Sequence, residues 1–111
     1  MLINKISRNL DDIGMCRKLK GYYYIRCAVS DIIRYGCFTE INKIYKNVSE
    51  IYFTNPKNIE RNIRYAIETT WEKGNNKEIY KLFGYTINAE KGKPTNSEFL
   101  FLIADIVKYS A

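Results

Sequence analysis

Residues 39–74 read TEINKIYKNVSEIYFTNPKNIERNIRYAIETTWEKG, and their spacing decides the fold. Two helical patterns flank a break. Before it, Ile41, Ile44, Tyr45, Val48 and Ile51 recur at the spacing of one helix face, pointing inward. Thr39 is a candidate N-cap, because its hydroxyl can accept a free backbone N–H. This helix is expected to end near Phe53, and a turn, Thr54-Asn55-Pro56, follows. Asn55 caps the next helix, and Pro56 takes its first position, where a missing N–H costs nothing. That second helix runs over about 56–73, with Gly74 just past its end. Ile59, Ile63, Ala66, Ile67 and Trp71 form its inner stripe.

Working outward, the same period continues. Ile6, Leu10 and Ile13 make a first helical stripe, stopped at Gly14. From Gly21 to Tyr35 the stripe is Ile25, Ala28, Val29 and Ile32, with Gly36 as the C-cap candidate. A short amphipathic segment, Lys77 to Phe83, stops at Gly84, and Tyr85 to Pro94 reads as a loop. Thr95-Asn96-Ser97-Glu98 is a capping box, since Thr95 and Glu98 can each satisfy the other's backbone N–H. Phe99, Leu102, Ile103 and Ile106 complete the last apolar face. Tyr85-Thr86-Ile87 is the only β-like stretch, and one strand makes no sheet. The expected fold is all-α, one domain over 1–111 of about six helices containing a helix-turn-helix.

Composition narrows the function. The 111 residues include no His, which removes imidazole general bases, Ser-His and Cys-His nucleophile pairs and His-ligated zinc. No Gly-rich phosphate loop or carboxylate cluster stands out, so no enzyme and no cofactor are expected. Cys16, Cys27 and Cys37 form no CxxC, and they read as reduced thiols acting as small buried hydrophobes. The longest apolar run, Phe99 to Ala104, falls far short of the roughly 20 residues that span a membrane. No secretory leader is evident at Met1-Leu2-Ile3-Asn4-Lys5-Ile6, so a cytoplasmic, nucleoid-associated protein without a membrane partner is expected. Net charge is +6, with a basic cluster at Arg17, Lys18, Lys20 and Arg26, and this suits a polyanion partner.

In a helix-turn-helix the second helix enters the major groove and its N-terminal residues meet base edges. The exposed face here carries Lys57, Asn58, Glu60, Arg61, Arg64, Tyr65 and Glu68. Arg61 can bridge guanine O6 and N7, Glu60 can accept from a cytosine amino group, and Asn58 can pair with adenine. Lys57 and Arg64 suit phosphates, which set register. The competing reading is a solvated helix face, for Glu60–Arg64 and Arg64–Glu68 are both i, i+4 ion-pair candidates.

Several stretches carry a resemblance. Lys20-Gly21-Tyr22 with Tyr24 and Arg26 opens the series. Glu60-Arg61, Ile63-Arg64 and Ala66-Ile67-Glu68 follow, then Trp71 with Gly74-Asn75 and Leu82-Phe83-Gly84-Tyr85-Thr86. Lys93-Pro94-Thr95-Asn96-Ser97-Glu98-Phe99 completes it. In this order, over about residues 13–107, the chain resembles the C-terminal effector domain of the stage-zero sporulation response regulator. The resemblance implies an all-α DNA-binding domain that reads a short promoter box, often as a homodimer on tandem boxes. It implies that Glu60 and Arg61 read bases and that Arg64 supports them. It also implies that the segment after the recognition helix meets the RNA polymerase sigma factor, with Lys77, Ile79, Leu82 and Phe83 as candidates. Leu82 and Phe83 read equally well as core.

The departures sit on the reading face. The family usually has Arg at Asn58, His at Tyr65 and a small residue at Lys57, so the preferred box is expected to differ. No acidic cluster suited to a phosphoacceptor domain accompanies the match, and Met1 suggests a stand-alone relative. Two functions follow as expectations. One is a sequence-specific double-stranded DNA-binding transcription regulator. The other is a receiver-less paralogue that antagonises or modulates the full-length regulator or the sigma factor through protein contacts.

Overall fold

The computed structural model describes residues 1–36, 40–84 and 92–110. Among them are α1 (Leu2–Asp12), α2 (Lys20–Tyr35), α3 (Ile41–Ile51), α4 (Pro56–Lys73), α5 (Asn76–Phe83) and α6 (Asn96–Lys108), and no strand. The protein is all-α, as the apolar spacing predicts. Thr39, Cys37 and Tyr85-Thr86-Ile87 lie outside the described residues. The cap position of α3 falls on Glu40, with no side-chain cap hydrogen bond.

Local chemistry sets the ends of the helices. Asn55 Oδ1 accepts from Asn58 N at 2.8 Å and Pro56 opens α4, so that start is fixed by its own first turn. Thr95 and Glu98 form the full capping box of α6, at 2.8 and 3.1 Å. At the end of α1, Gly14 adopts φ 83°, which lets Met15 N reach back to Leu10 O at 3.0 Å and Gly14 N to Asp11 O at 2.9 Å. The end of α3 closes in the same way around Phe53, with φ 55°, and Thr54 N bonds Ser49 O at 2.9 Å. Helix α3 therefore stops at Ile51, two residues before the sequence expectation, while α4 opens at Pro56 as expected.

Helix α2 lies at the centre, packed against α4, α6, α1 and α3. It approaches α4 closely at Gly21. A Cβ there would collide with the Asn62 carbonyl oxygen and come within 2.7 Å of Ala66 Cβ. The core joins Ile6, Leu10 and Ile13 of the first segment to Tyr22, Ile25 and Val29 of α2. Ile44 and Val48 of α3, Ile59, Ile63 and Ile67 of α4, and Phe99, Leu100 and Ile103 of α6 complete it. Burying side chains of this size contributes roughly 1.5–3 kcal/mol each relative to leaving them in water. Helix α5 attaches through aromatic rings. Phe83 stacks on Phe99 at 5.5 Å, and Trp71 meets both edge-on.

Four expectations about the core are corrected. Ile51, the last residue of α3, is 57 % exposed. Trp71 is half-buried rather than interior. On α6 the buried face is Phe99, Leu100, Ile103, Ala104 and Val107, while Leu102 and Ile106 are half-buried. Cys16 is exposed and Cys27 half-buried, so neither is a core hydrophobe, and burial pushes the Cys27 thiol up to about 11.

Candidate nucleic-acid interface

The outer face of α4 is set by its inner one. With Ile59, Ile63, Ala66 and Ile67 buried, Lys57, Arg61 and Tyr65 project on the opposite side and Glu60 is exposed on the flank. The side chains of Glu60 and Arg61 make no hydrogen bond or ion pair among the described residues. They border an open groove of about 670 Å³ that also touches Ile41, Asn42 and Tyr45 of α3, Lys57 and Arg64 of α4, and Thr95, Asn96 and Ser97 at the start of α6. The groove therefore presents an unpaired anion and an unpaired cation, side by side on one rigid helix.

The remaining candidates are less free. Asn58 is half-buried, and its Nδ2 donates to Thr54 Oγ1 at 2.9 Å while its Oδ1 accepts from Asn62 Nδ2 at 3.0 Å. Arg64 turns sideways. Its Nη1 donates to Pro94 O at 2.8 Å, and its buried Nε lies 3.7 Å from Glu68 Oε2. Of the two i, i+4 pairs foreseen on this helix, Arg64–Glu68 is present. Tyr65 is 58 % exposed.

Sequence reasoning missed Asn96. It is 9 % exposed, and its Nδ2 donates to Tyr45 Oη at 3.2 Å and to the Glu60 carbonyl at 3.1 Å. Burial also pushes the Tyr45 phenol up. The available signal was chemical: Asn at the first position of a helix already capped by Thr95 has no local task.

Helix α4 thus follows a capped turn and carries Glu60 and Arg61 exposed, without side-chain partners among the described residues. The family model described as Sporulation initiation factor Spo0A C terminal matches residues 6–107. The chain belongs to the Spo0A C-terminal family. Its members are DNA-binding effector domains of a sporulation regulator.

Within the Spo0A C-terminal frame, the segment after α4 is mostly occupied by the core. Ile79 and Phe83 are buried, Leu82 is half-buried, and Lys77 is exposed. The basic cluster near the start of α2 is partly neutralised. Arg17 grips Asp11 through Nη2 at 2.6 Å and Nε at 3.1 Å, and Tyr22 Oη donates to the same carboxylate at 2.8 Å. Arg26 donates to Ser7 Oγ at 3.2 Å and covers the Tyr23 ring. Lys18 and Lys20 stay exposed. No described helix is long and apolar enough to cross a membrane.

Proposed function

We propose that this chain is a sequence-specific, double-stranded DNA-binding transcription regulator that inserts α4 into the major groove and reads bases with Glu60 and Arg61. The observation that carries the reading is the pair itself. Two neighbouring side chains of opposite charge are exposed and unpaired on a helix whose start is rigidly capped. Arg61 supplies a fork of donors for guanine O6 and N7, and Glu60 supplies an acceptor for a cytosine amino group. Lys57 contacts phosphate beside them, with Lys18 and Lys20 as further phosphate contacts. Arg64 acts through Pro94 and Glu68 as a support. Asn58 reaches adenine only by giving up its bonds to Thr54 and Asn62, so it contributes to the turn more than to reading. No cofactor is needed. Lys77 is the best-exposed of the four sigma-factor candidates, and pairing of two copies on tandem boxes is the assembly the family suggests.

The test is selection of a duplex from a random library, followed by anisotropy titration of that duplex and a scrambled one at two salt concentrations. Affinity for both should fall steeply with salt, and the selected duplex should be preferred. Arg61→Ala should lose that preference, with a smaller loss on the scrambled duplex.

A second reading is a protein-interaction modulator of a full-length family member or the sigma factor. What favours it is the exposed apolar run Ile51, Tyr52 and Phe53 beside the turn, together with the closed hydrogen bonds of Asn58. Co-purification with a full-length family member in the absence of DNA, lost on Phe53→Asp, supports it. No association at micromolar concentration removes it.

A further inference from the structure

The start of α6 is tied to the reading helix at two points, 94 and 96, and both ties bear on the residues around the groove. Arg64 Nη1 donates to the Pro94 carbonyl at 2.8 Å. Two residues on, Asn96 Nδ2 divides its donors between Tyr45 Oη of α3, at 3.2 Å, and the main-chain carbonyl of Glu60, at 3.1 Å. One buried amide thus joins three helices at the residue proposed to meet the bases. The capping box of Thr95 and Glu98 fixes the backbone that carries this amide, so the tie is made from a rigid base.

The amide is held at a cost. Asn96 Oδ1 is buried and has no hydrogen-bond partner among the described residues. A buried polar atom without a partner destabilises the fold, and an apolar side chain of similar shape would remove that penalty, though it would take from Tyr45 Oη the donor it has here. Packing alone therefore does not account for asparagine at this position. Its donors hold the Glu60 carbonyl at a set distance from α3, and this fixes how far α4 can roll or slide in the α3–α4 seam. Base reading needs such control, because a side chain displaced by about 1 Å no longer aligns with a base edge, whereas phosphate attraction tolerates the shift.

We propose that Asn96 is a positioning residue for sequence discrimination, holding Glu60 and Arg61 in register through the Glu60 carbonyl and Tyr45. The proposal rests on the DNA-reading function above.

The experiment uses the full chain, a duplex selected from a random library by the wild-type protein, and a scrambled duplex of equal composition. Variants are Asn96→Leu, which keeps the branched shape and removes the donors, and Tyr45→Phe, which removes one hydroxyl. Asn96→Leu should lower the selected-to-scrambled affinity ratio on the order of tenfold, the scale of one good base contact. Its scrambled-duplex affinity and salt slope should stay at the wild-type values. Tyr45→Phe should lower the ratio by less. Without DNA, amide exchange at Asn62, Ile63 and Arg64 should quicken in Asn96→Leu. A folded Asn96→Leu that keeps the wild-type ratio overturns the proposal, as does an equal loss on both duplexes, which marks a purely structural role. If Asn96→Leu fails to fold, an unchanged ratio in Tyr45→Phe overturns it instead. A wild-type protein that enriches no duplex overturns the DNA-reading function first and this proposal with it, and the wild-type arm separates the two failures.

Discussion

Phe53 occupies the position in the closing turn of α3 that Gly14 occupies in the closing turn of α1. Both residues follow the helix C-cap, both have positive φ (55° and 83°), and in both turns the next N–H reaches back to the helix. Glycine enters the left-handed region freely, but phenylalanine pays a steric cost of about 1–2 kcal/mol there. The Phe53 ring recovers nothing by burial, since it is 96 % exposed. Phe53→Asn, which tolerates this conformation without glycine's added chain entropy, should stabilise the protein by about 1 kcal/mol. Urea denaturation measures it. A variant no more stable than wild type would mean that the turn is not strained.

Gly21 sets two effects against each other. Gly→Ala gains up to about 1 kcal/mol of helix propensity, less in the first turn, where Gly21 sits. Here the added Cβ meets the Asn62 carbonyl oxygen and Ala66, and the first of these is backbone that cannot rotate aside. Packing should win, so Gly21→Ala should destabilise by about 1–3 kcal/mol. Because Asn62 lies next to Arg61, the same variant should also weaken duplex discrimination. A rise in Tm would refute the close approach of α2 to α4.

Asp11 links stability to pH. Hydrogen bonding from Arg17, above all, holds its carboxyl below the usual value of 3.8. The folded state thus binds this proton less readily than the unfolded chain does. The resulting stability is present above the unfolded value and is lost as pH falls through the folded one. From about pH 4 downward, wild type should lose stability more steeply than Asp11→Asn, which starts lower because the pair is already absent. The pair is largely exposed, so the effect should be small and should shrink with added salt. Parallel acid limbs for the two proteins would show that the Arg17–Asp11 contact does not persist in solution.

What could be read from the sequence was local. Asn55-Pro56, Thr95 with Glu98, and Gly14 specify their turns through neighbours a few residues away, and each appears where the sequence places it. The α4 stripe was clear because polar residues interrupt it. On α6 the run Phe99 to Ala104 is continuously apolar, so the period cannot select a face, and which residues are buried is set by α2, α1 and α4 docking on the helix. On α4 the pairing of Glu60 with Arg61 came from the family resemblance, and the exposure of Arg61 followed from the helix period. The engagement of Arg64 with Pro94 and of Asn96 with Tyr45 did not, for these partners are 30 and 51 residues apart and meet only after the helices have docked. The Arg17–Asp11 pair spans a turn at a separation of six, which no helix pattern reveals.

The central claim is that Arg61 reads a guanine, and a crossed substitution tests it most directly. In the selected duplex, each guanine is replaced in turn by 7-deazaguanine, which lacks the N7 acceptor, and affinities of wild type and Arg61→Ala are measured on every duplex. At one guanine, wild type should lose several-fold, part of the roughly 5- to 150-fold (1–3 kcal/mol) of a whole bidentate contact, since the O6 acceptor remains. Arg61→Ala, already without the contact, should lose nothing further there. Equal losses in both proteins at every guanine, or no loss in wild type at any, would contradict the account.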